Sequence, residues 1–285
     1  MKLRPTETGQ KHMVTTNSSS HNNTHKELSI QISLSGLSFC ILNSSLHQIE
    51  VLKHLSFNKH ETPYQLLEHV QSLFNTEESL KQAFNSIQII HSNELSTLVP
   101  SPLFNEEHLA DYLKYNSKLL KSDFITFDTI DLNDSVNVYV PYVNVNNFIY
   151  EQFGEFTFKH ASTVLIESIL QIEKNADAPK LYIHVASRHF EIISINSGAL
   201  QFYNTFEYST EEDFIYYLLF TLEQLKLNPE TIQLVFVGDI LKNDALYNIA
   251  YKYVRHISFG KHKNNFTFSH QPQTQHAEFV ILNSF

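Results

Sequence analysis

From Leu28 onward apolar and polar residues alternate: Leu28, Ile30, Ile32 and Leu34 are interleaved with Ser29, Gln31, Ser33 and Ser35. A period of two predicts a strand with one face inward. Ser35-Gly36 then suits a two-residue hairpin turn, because glycine tolerates positive φ. A second strand follows through Leu37, Phe39 and Ile41, a turn at Asn43-Ser44-Ser45, and a third strand near Ile49 and Val51. Thr62-Pro63 reads as an N-cap with proline at the first helical position. Leu66, Leu67, Val70, Leu73 and Phe74 continue at helical spacing, and 87–90 reads as a buried strand.

The same order returns later. Leu181, Ile183 and Val185 predict a strand, and Phe190, Ile192 and Ile195 a second one across a tight turn. Asn196-Ser197-Gly198 is a hairpin signal leading to a third strand through Leu200, Phe202 and Phe206. Ser209 with Glu212 has the form of a capping box, and the helix it opens places Phe214, Leu218, Leu222 and Leu225 on one face. Residues 232–237 then read as a fully buried strand ending at Gly238.

Between these units the pattern predicts a helix after Asn105, a strand at Val136, Val138 and Val140, and a helix over 144–153 with Gly154 at its C-terminal cap. A short strand at Phe156 and Phe158 and a helix over 162–173 follow. After the second unit come a helix over 246–253, a strand over 257–259 and, at Phe279, Val280, Ile281 and Leu282, an expected last edge strand. The expected organisation is a disordered leader (1–25, rich in Thr, Ser, Asn and His), a first half (26–174), a linker (175–179) and a second half (180–285). Met13 is as compatible with the true start as Met1.

A β-β-β-α-β order occurring twice differs from a doubly wound sheet, which alternates strand and helix from the outset. It matches the ribonuclease H-like half-domain. Two such halves in tandem, mixed sheets with helices on their faces, give the α/β plan of the actin-like ATPases. Composition agrees with a folded chain: 285 residues, 42% hydrophobic and 18% charged. Nothing approaches the roughly 18 apolar residues of a membrane span, and no apolar stretch follows Lys2 and Arg4 as in a secretory signal, so cytoplasm is the expected compartment. The formal net charge of −10 argues against a general nucleic-acid binder. Cys40 is the only cysteine, set in Leu37-Ser38-Phe39-Cys40-Ile41, and is expected to be a buried, inert thiol.

Particular residues also suggest a family. The run from Leu28 to Phe39, Val99-Pro100-Ser101-Pro102-Leu103-Phe104 with Asp111-Tyr112-Leu113-Lys114, the run from Val138 to Phe148, and Glu212-Asp213-Phe214-Ile215-Tyr216-Tyr217 resemble the bacterial family called domain of unknown function 3822. The resemblance covers nearly everything from residue 26 onward. It implies an actin-like ATPase fold and brings no catalytic residues.

Such a fold holds phosphates with a strand–turn–strand loop of the form Asp-x-Gly in each half. The glycine lets amides approach and the aspartates organise Mg²⁺. Here Gly36 remains in the first loop, with Leu34 at the acidic position. In the second, His184 stands at the acidic position and Ala186 at the glycine. Gly238-Asp239 represents the glycine pair that contacts adenosine. Neither leucine nor neutral imidazole replaces a carboxylate on Mg²⁺. Gly36, His184, Gly238 and Asp239 are therefore candidates for a degenerate nucleotide site, and the plain reading of Gly36 and Gly238 as turn glycines is preferred.

The 16 histidines form no His-Glu-x-x-His or comparably spaced ligand set, so no metal site is expected. No Gly-x-Ser-x-Gly elbow and no Walker-type or dinucleotide-binding glycine motif occurs. The basic cluster Lys252, Arg255, His256, Lys261, His262 and Lys263, interleaved with Tyr251, Tyr253 and Phe259, is compatible with phosphate contact and stacking, or simply with a solvated helix end and loop. The reading is a non-catalytic actin-like protein without cofactor, a scaffold or regulator acting through an unidentified protein partner, with nucleotide, nucleic acid and membrane not expected as ligands. The alternative is a divergent ATPase or kinase using His184, Asp239 or another acid at an altered metal site. RNA contact through 252–263 is a third.

Overall fold

The computed structural model describes residues 4–5, 11–12, 25–114, 119–120 and 123–285. In chain order the strands and helices are β1 (Arg4–Pro5), β2 (Lys11–His12), β3 (Lys26–Ile32), β4 (Gly36–Asn43), β5 (Gln48–Ser56), α1 (Pro63–Thr76) and β6 (Ser86–His91). There follow β7 (Ser96–Pro100), α2 (Leu109–Leu113), β8 (Thr126–Ile130), β9 (Ser135–Tyr139), α3 (Val143–Phe153), β10 (Thr157–His160) and α4 (Ala161–Ile172). The remainder comprises β11 (Lys180–Val185), β12 (His189–Asn196), β13 (Ala199–Glu207), α5 (Glu211–Gln224), β14 (Gln233–Gly238), α6 (Ala245–Tyr253), β15 (His256–Phe259), β16 (Thr267–Phe268) and α7 (Phe279–Leu282).

The chain divides into two compact units: Met1–Val164 with Asn265–Gln271 and Ser284–Phe285, and Leu165–Asn264 with Pro272–Asn283. The division falls after Val164, within α4; the loop 175–179 joins α4 to β11 inside the second unit. Of the leader, the backbone of β1 and β2 is described, β2 pairing with β10 at Thr157; the rest of the expected disordered segment up to residue 24 lies outside the described residues.

The repeated order seen in the sequence becomes a repeated sheet. In the first unit the strands run β5-β4-β3-β6-β10, and in the second β13-β12-β11-β14-β15. In each, three antiparallel strands meander and two parallel ones follow by crossover. The first sheet is extended by β2 and β1 beside β10 and by β16 beside β5. A separate antiparallel sheet, β7-β9-β8, is inserted between β6 and α3. Only its β9 was readable from the sequence.

Local chemistry explains the helix starts. Thr62 caps α1 with Pro63 at the first turn, and Gln65 completes a capping box. In α5 the box sits one residue later than expected, on Thr210 and Asp213: the Thr210 hydroxyl accepts the Asp213 amide at 3.1 Å, and the carboxylate accepts the Ser209 and Thr210 amides at 3.0 Å. Ser197 and Gly198 both have positive φ, as the expected tight hairpin requires. Phe190, Phe214 and Phe236 form the aromatic centre of the second core, with ring centroids 4.7 and 6.3 Å apart.

Two expectations need correction. Two polar positions of β3 and β4, Ser29 and Ser38, are buried instead of facing solvent, while Cys40 is buried as expected. The first sheet is covered on both faces, so period-two alternation misled. The run at 279–282 is the helix α7, not an edge strand; all four residues are buried, and a short, wholly apolar run carries no period to separate the two.

The inserted sheet is tied to the start of α4 by a buried acid. Asp128 on β8 accepts hydrogen bonds from the His160 amide at 2.8 Å, the Thr163 hydroxyl at 2.8 Å and the Tyr139 hydroxyl at 3.0 Å. Burial outweighs these donors and pushes its carboxyl up to about 6. An unfolded aspartate titrates near ~3.9, so between about pH 4 and 6 the native state binds more protons and stability falls as pH rises, by about 3 kcal/mol in all. Asp128→Asn removes that dependence, while its amide can keep an oxygen toward Thr163 and an NH₂ toward Tyr139. Paired urea titrations should show the variant gaining about 3 kcal/mol on the parent between pH 4 and 7. Parallel profiles would mean that Asp128 ionises as in water.

Candidate functional site

In the first unit, the turn between β3 and β4 is Ser33-Leu34-Ser35, one residue earlier than the expected Ser35-Gly36, with Gly36 opening β4. The Ser33 amide donates to the Gly36 carbonyl at 2.9 Å, and the Ser33 hydroxyl oxygen accepts the amides of Ser35 (3.3 Å) and Gly36 (3.1 Å). Amides converging on one point form an anion-binding concavity. Here a side-chain oxygen of the same turn fills it. Gly36 is required by proximity: a Cβ there would lie 2.7 Å from the Leu55 carbonyl oxygen of β5. Leu34, at the position of the missing acid, packs against the first core.

In the second unit, His184 ends up opposite Glu191 in the β11–β12 register. Its Nδ1 lies 2.6 Å from the Glu191 carboxylate, which also accepts the Tyr203 hydroxyl at 2.8 Å. Burial alone would pull the imidazole down and push the carboxyl up. The hydrogen bond between them and their mutual attraction prevail, aided for His184 by the charges of Asp239 and Glu278. His184 is thus held above its ordinary value and Glu191 down at about 2, which makes this a buried ion pair. Ala186 closes the hairpin without needing glycine: its amide donates to His189 at 2.9 Å, its carbonyl accepts the Tyr208 hydroxyl at 2.8 Å, and its φ is not positive.

Gly238 ends β14 with φ +86, and a Cβ there would sit 2.3 Å from the Val185 carbonyl oxygen and 2.9 Å from His184 Cδ2. The structure therefore brings His184, Gly238 and Asp239 together at the C-terminal ends of β11 and β14, where open α/β sheets place ligands. Gly36 belongs to the other unit. The amides at this point are already used: Gly238 donates to the His276 carbonyl and Asp239 to the Val185 carbonyl, both at 2.8 Å. His276 is buried, stacks on Phe259 with centroids 4.3 Å apart, and bonds the Ile240 carbonyl through Nε2 at 2.6 Å. Sequence reasoning missed His276, one of three histidines in a polar tail (with His262 and His270) and not marked by anything local.

A cavity of 570 Å³ opens beside Asp239, between the N-termini of α5 and α6. Tyr208, Thr210, Glu212, Asp239 and Asp244 border it, and the Asp244 carboxylate accepts the Leu241 amide at 2.7 Å. Its carboxylates oppose a phosphate chain. Among the described residues no group of three or more His, Cys, Asp or Glu side chains could hold a metal ion. Within the basic cluster, His262 Nδ1 bonds the Asn264 carbonyl, Lys263 bonds Gln171 and Asn283, and Phe259 stacks with His276 and Tyr247. No helix among the described residues is long and apolar enough to cross a membrane.

Comparison with known proteins fits this geometry. No curated protein matches the chain. Among solved structures, a Bacteroides thetaiotaomicron protein with an actin-like ATPase fold and unknown function is 25% identical, over 83% of this chain and 91% of that one, with a TM-score of 0.71. A chain of the PilM-PilN type IV pilus biogenesis complex is 10% identical, over 90% of this chain and 96% of that one, with a TM-score of 0.61. The fold is that of the actin-like ATPases. With residues 15–257 matching the pattern of the family described as "Protein of unknown function (DUF3822)", the chain belongs to that family.

Proposed function

We propose that this protein is a non-catalytic member of the actin-like fold that works in the cytoplasm as a scaffold or regulator through protein–protein contacts. The observation that carries this reading is that the chain itself uses the groups a nucleotide would need. Ser33 takes the amides of the first turn, His276 and Val185 take those after β14, and the two acidic positions hold Leu34 and an imidazole locked to Glu191. One neighbour of the same fold comes from a protein–protein complex, PilM-PilN, which gives the fold a precedent for assembly.

Thermal unfolding with and without millimolar Mg²⁺-ATP tests the proposal. No shift in melting temperature is expected. A ligand present at ~100 times its dissociation constant adds about 2.7 kcal/mol, so a clear Mg²⁺-dependent rise would overturn the reading. It would move the assignment to an ATPase or kinase with an altered metal site.

A further inference from the structure

A second cavity, of 640 Å³, lies in the first unit where α1 and α3 end. Its floor is phenylalanine: Phe74 meets Phe148 and Phe153 edge-on at 5.5 and 5.6 Å, and Phe84 meets Phe153 at 5.9 Å. Asn75 and Gln152 each stand one residue before the end of their helix, so the last turns of both helices border the space. A helix C-terminus carries roughly half a negative charge, and two converge here. The carboxamides of Gln71, Asn75 and Gln152 at the rim are not engaged by other described side chains and add acceptor oxygens. Two charged side chains line the space itself: Lys81, paired with Glu78 at 2.6 Å, and Glu155, which adds a carboxylate.

We infer that this cavity binds an extended segment of a partner protein carrying a lysine or arginine next to an apolar side chain. The cation meets the two helix ends and the carboxamide oxygens, and the apolar neighbour lies on the phenylalanine floor, whose rings also attract a cation. The chain's net charge of −10 draws a basic partner toward it. The inference goes beyond the reading above and stands on a different surface, so ATP binding would leave it untouched.

The test is selection of random short peptides displayed on phage against the full chain, followed by fluorescence anisotropy of synthetic copies at about 0.15 M salt. Enriched peptides should pair Lys or Arg with Leu, Ile or Phe. Gln152→Lys puts a cation at the end of α3, where a lysine is compatible with the helix, and should weaken binding at least about tenfold. Gln224→Lys makes the same change of charge at the exposed end of α5 and should leave affinity within about twofold. Absence of enrichment, enrichment of acidic or neutral peptides, or equal loss in both variants would overturn the inference, the last by showing attraction to net charge alone.

Discussion

Gly238→Ala is expected to lose on the order of 4 kcal/mol of stability, or to fail to accumulate as folded protein. Part of the loss is conformational, since φ is +86 and a side chain in that region costs about 1 kcal/mol. The larger part is collision. The added carbon would stand 2.3 Å from a backbone oxygen of β11, which moves only if the parallel pairing of β11 with β14 gives way. Gly154 provides the control, because its φ is +82 but nothing lies within 4 Å of its missing carbon. Gly154→Ala should therefore show the conformational part alone, about 1–3 kcal/mol, because its ψ of −115 lies outside the left-handed helical region. Urea unfolding of the two variants separates the contributions, and equal losses would show that backbone conformation explains both.

The second large effect belongs to the His184–Glu191 pair. Removing one partner of a buried ion pair costs about 3–5 kcal/mol, and Glu191→Gln does so without changing shape. For a protein of this size about 3 kcal/mol corresponds to a fall in melting temperature of roughly 6–12 °C. The pH dependence fixes the cause. Glu191 is depressed to about 2, so its contribution is complete above the unfolded carboxyl near ~4.5 and disappears as the pH falls toward 2. His184 is raised, so its contribution is complete below about pH 6.5 and fades as the pH climbs through the folded value. Parent and variant should differ most between about pH 4.5 and 6.5 and converge in acid. A difference that stays the same from about pH 6 down to about pH 2 would mean that Glu191 acts through packing.

What the sequence revealed followed from elements with a clean local signature. The two β-β-β-α-β runs were legible because their strands alternate or are wholly apolar and their helices begin at capping residues. The inserted sheet was mostly hidden. Thr126-Phe127-Asp128-Thr129-Ile130 looks half polar, and only the fold discloses that Asp128 and Asn137, opposite each other across β8 and β9, are both buried. At the candidate site, His184 and Gly238, both singled out in the sequence, lie side by side in the structure. The partner that gives His184 its charge was not visible, because a histidine and a glutamate seven residues apart become a pair only once the hairpin register is known. Ser33 escaped notice because an anion-binding turn and a self-satisfied turn differ by one hydroxyl rotamer.

The placement of β16 bears on how the protein is made. Thr267 donates to the carbonyl of His47 across 220 residues of sequence, and Phe268 pairs with Ile49. On a ribosome the β5 edge of the first sheet must wait, with its hydrogen-bonding groups unpaired, until the chain 220 residues further on has emerged. A bare strand edge is a template for association with other chains, and long-range pairing of this kind is slow. Nascent chains that stop short of β16 are therefore the species most exposed to aggregation, and β16 acts as a late seal on a sheet whose central strands start at residue 26.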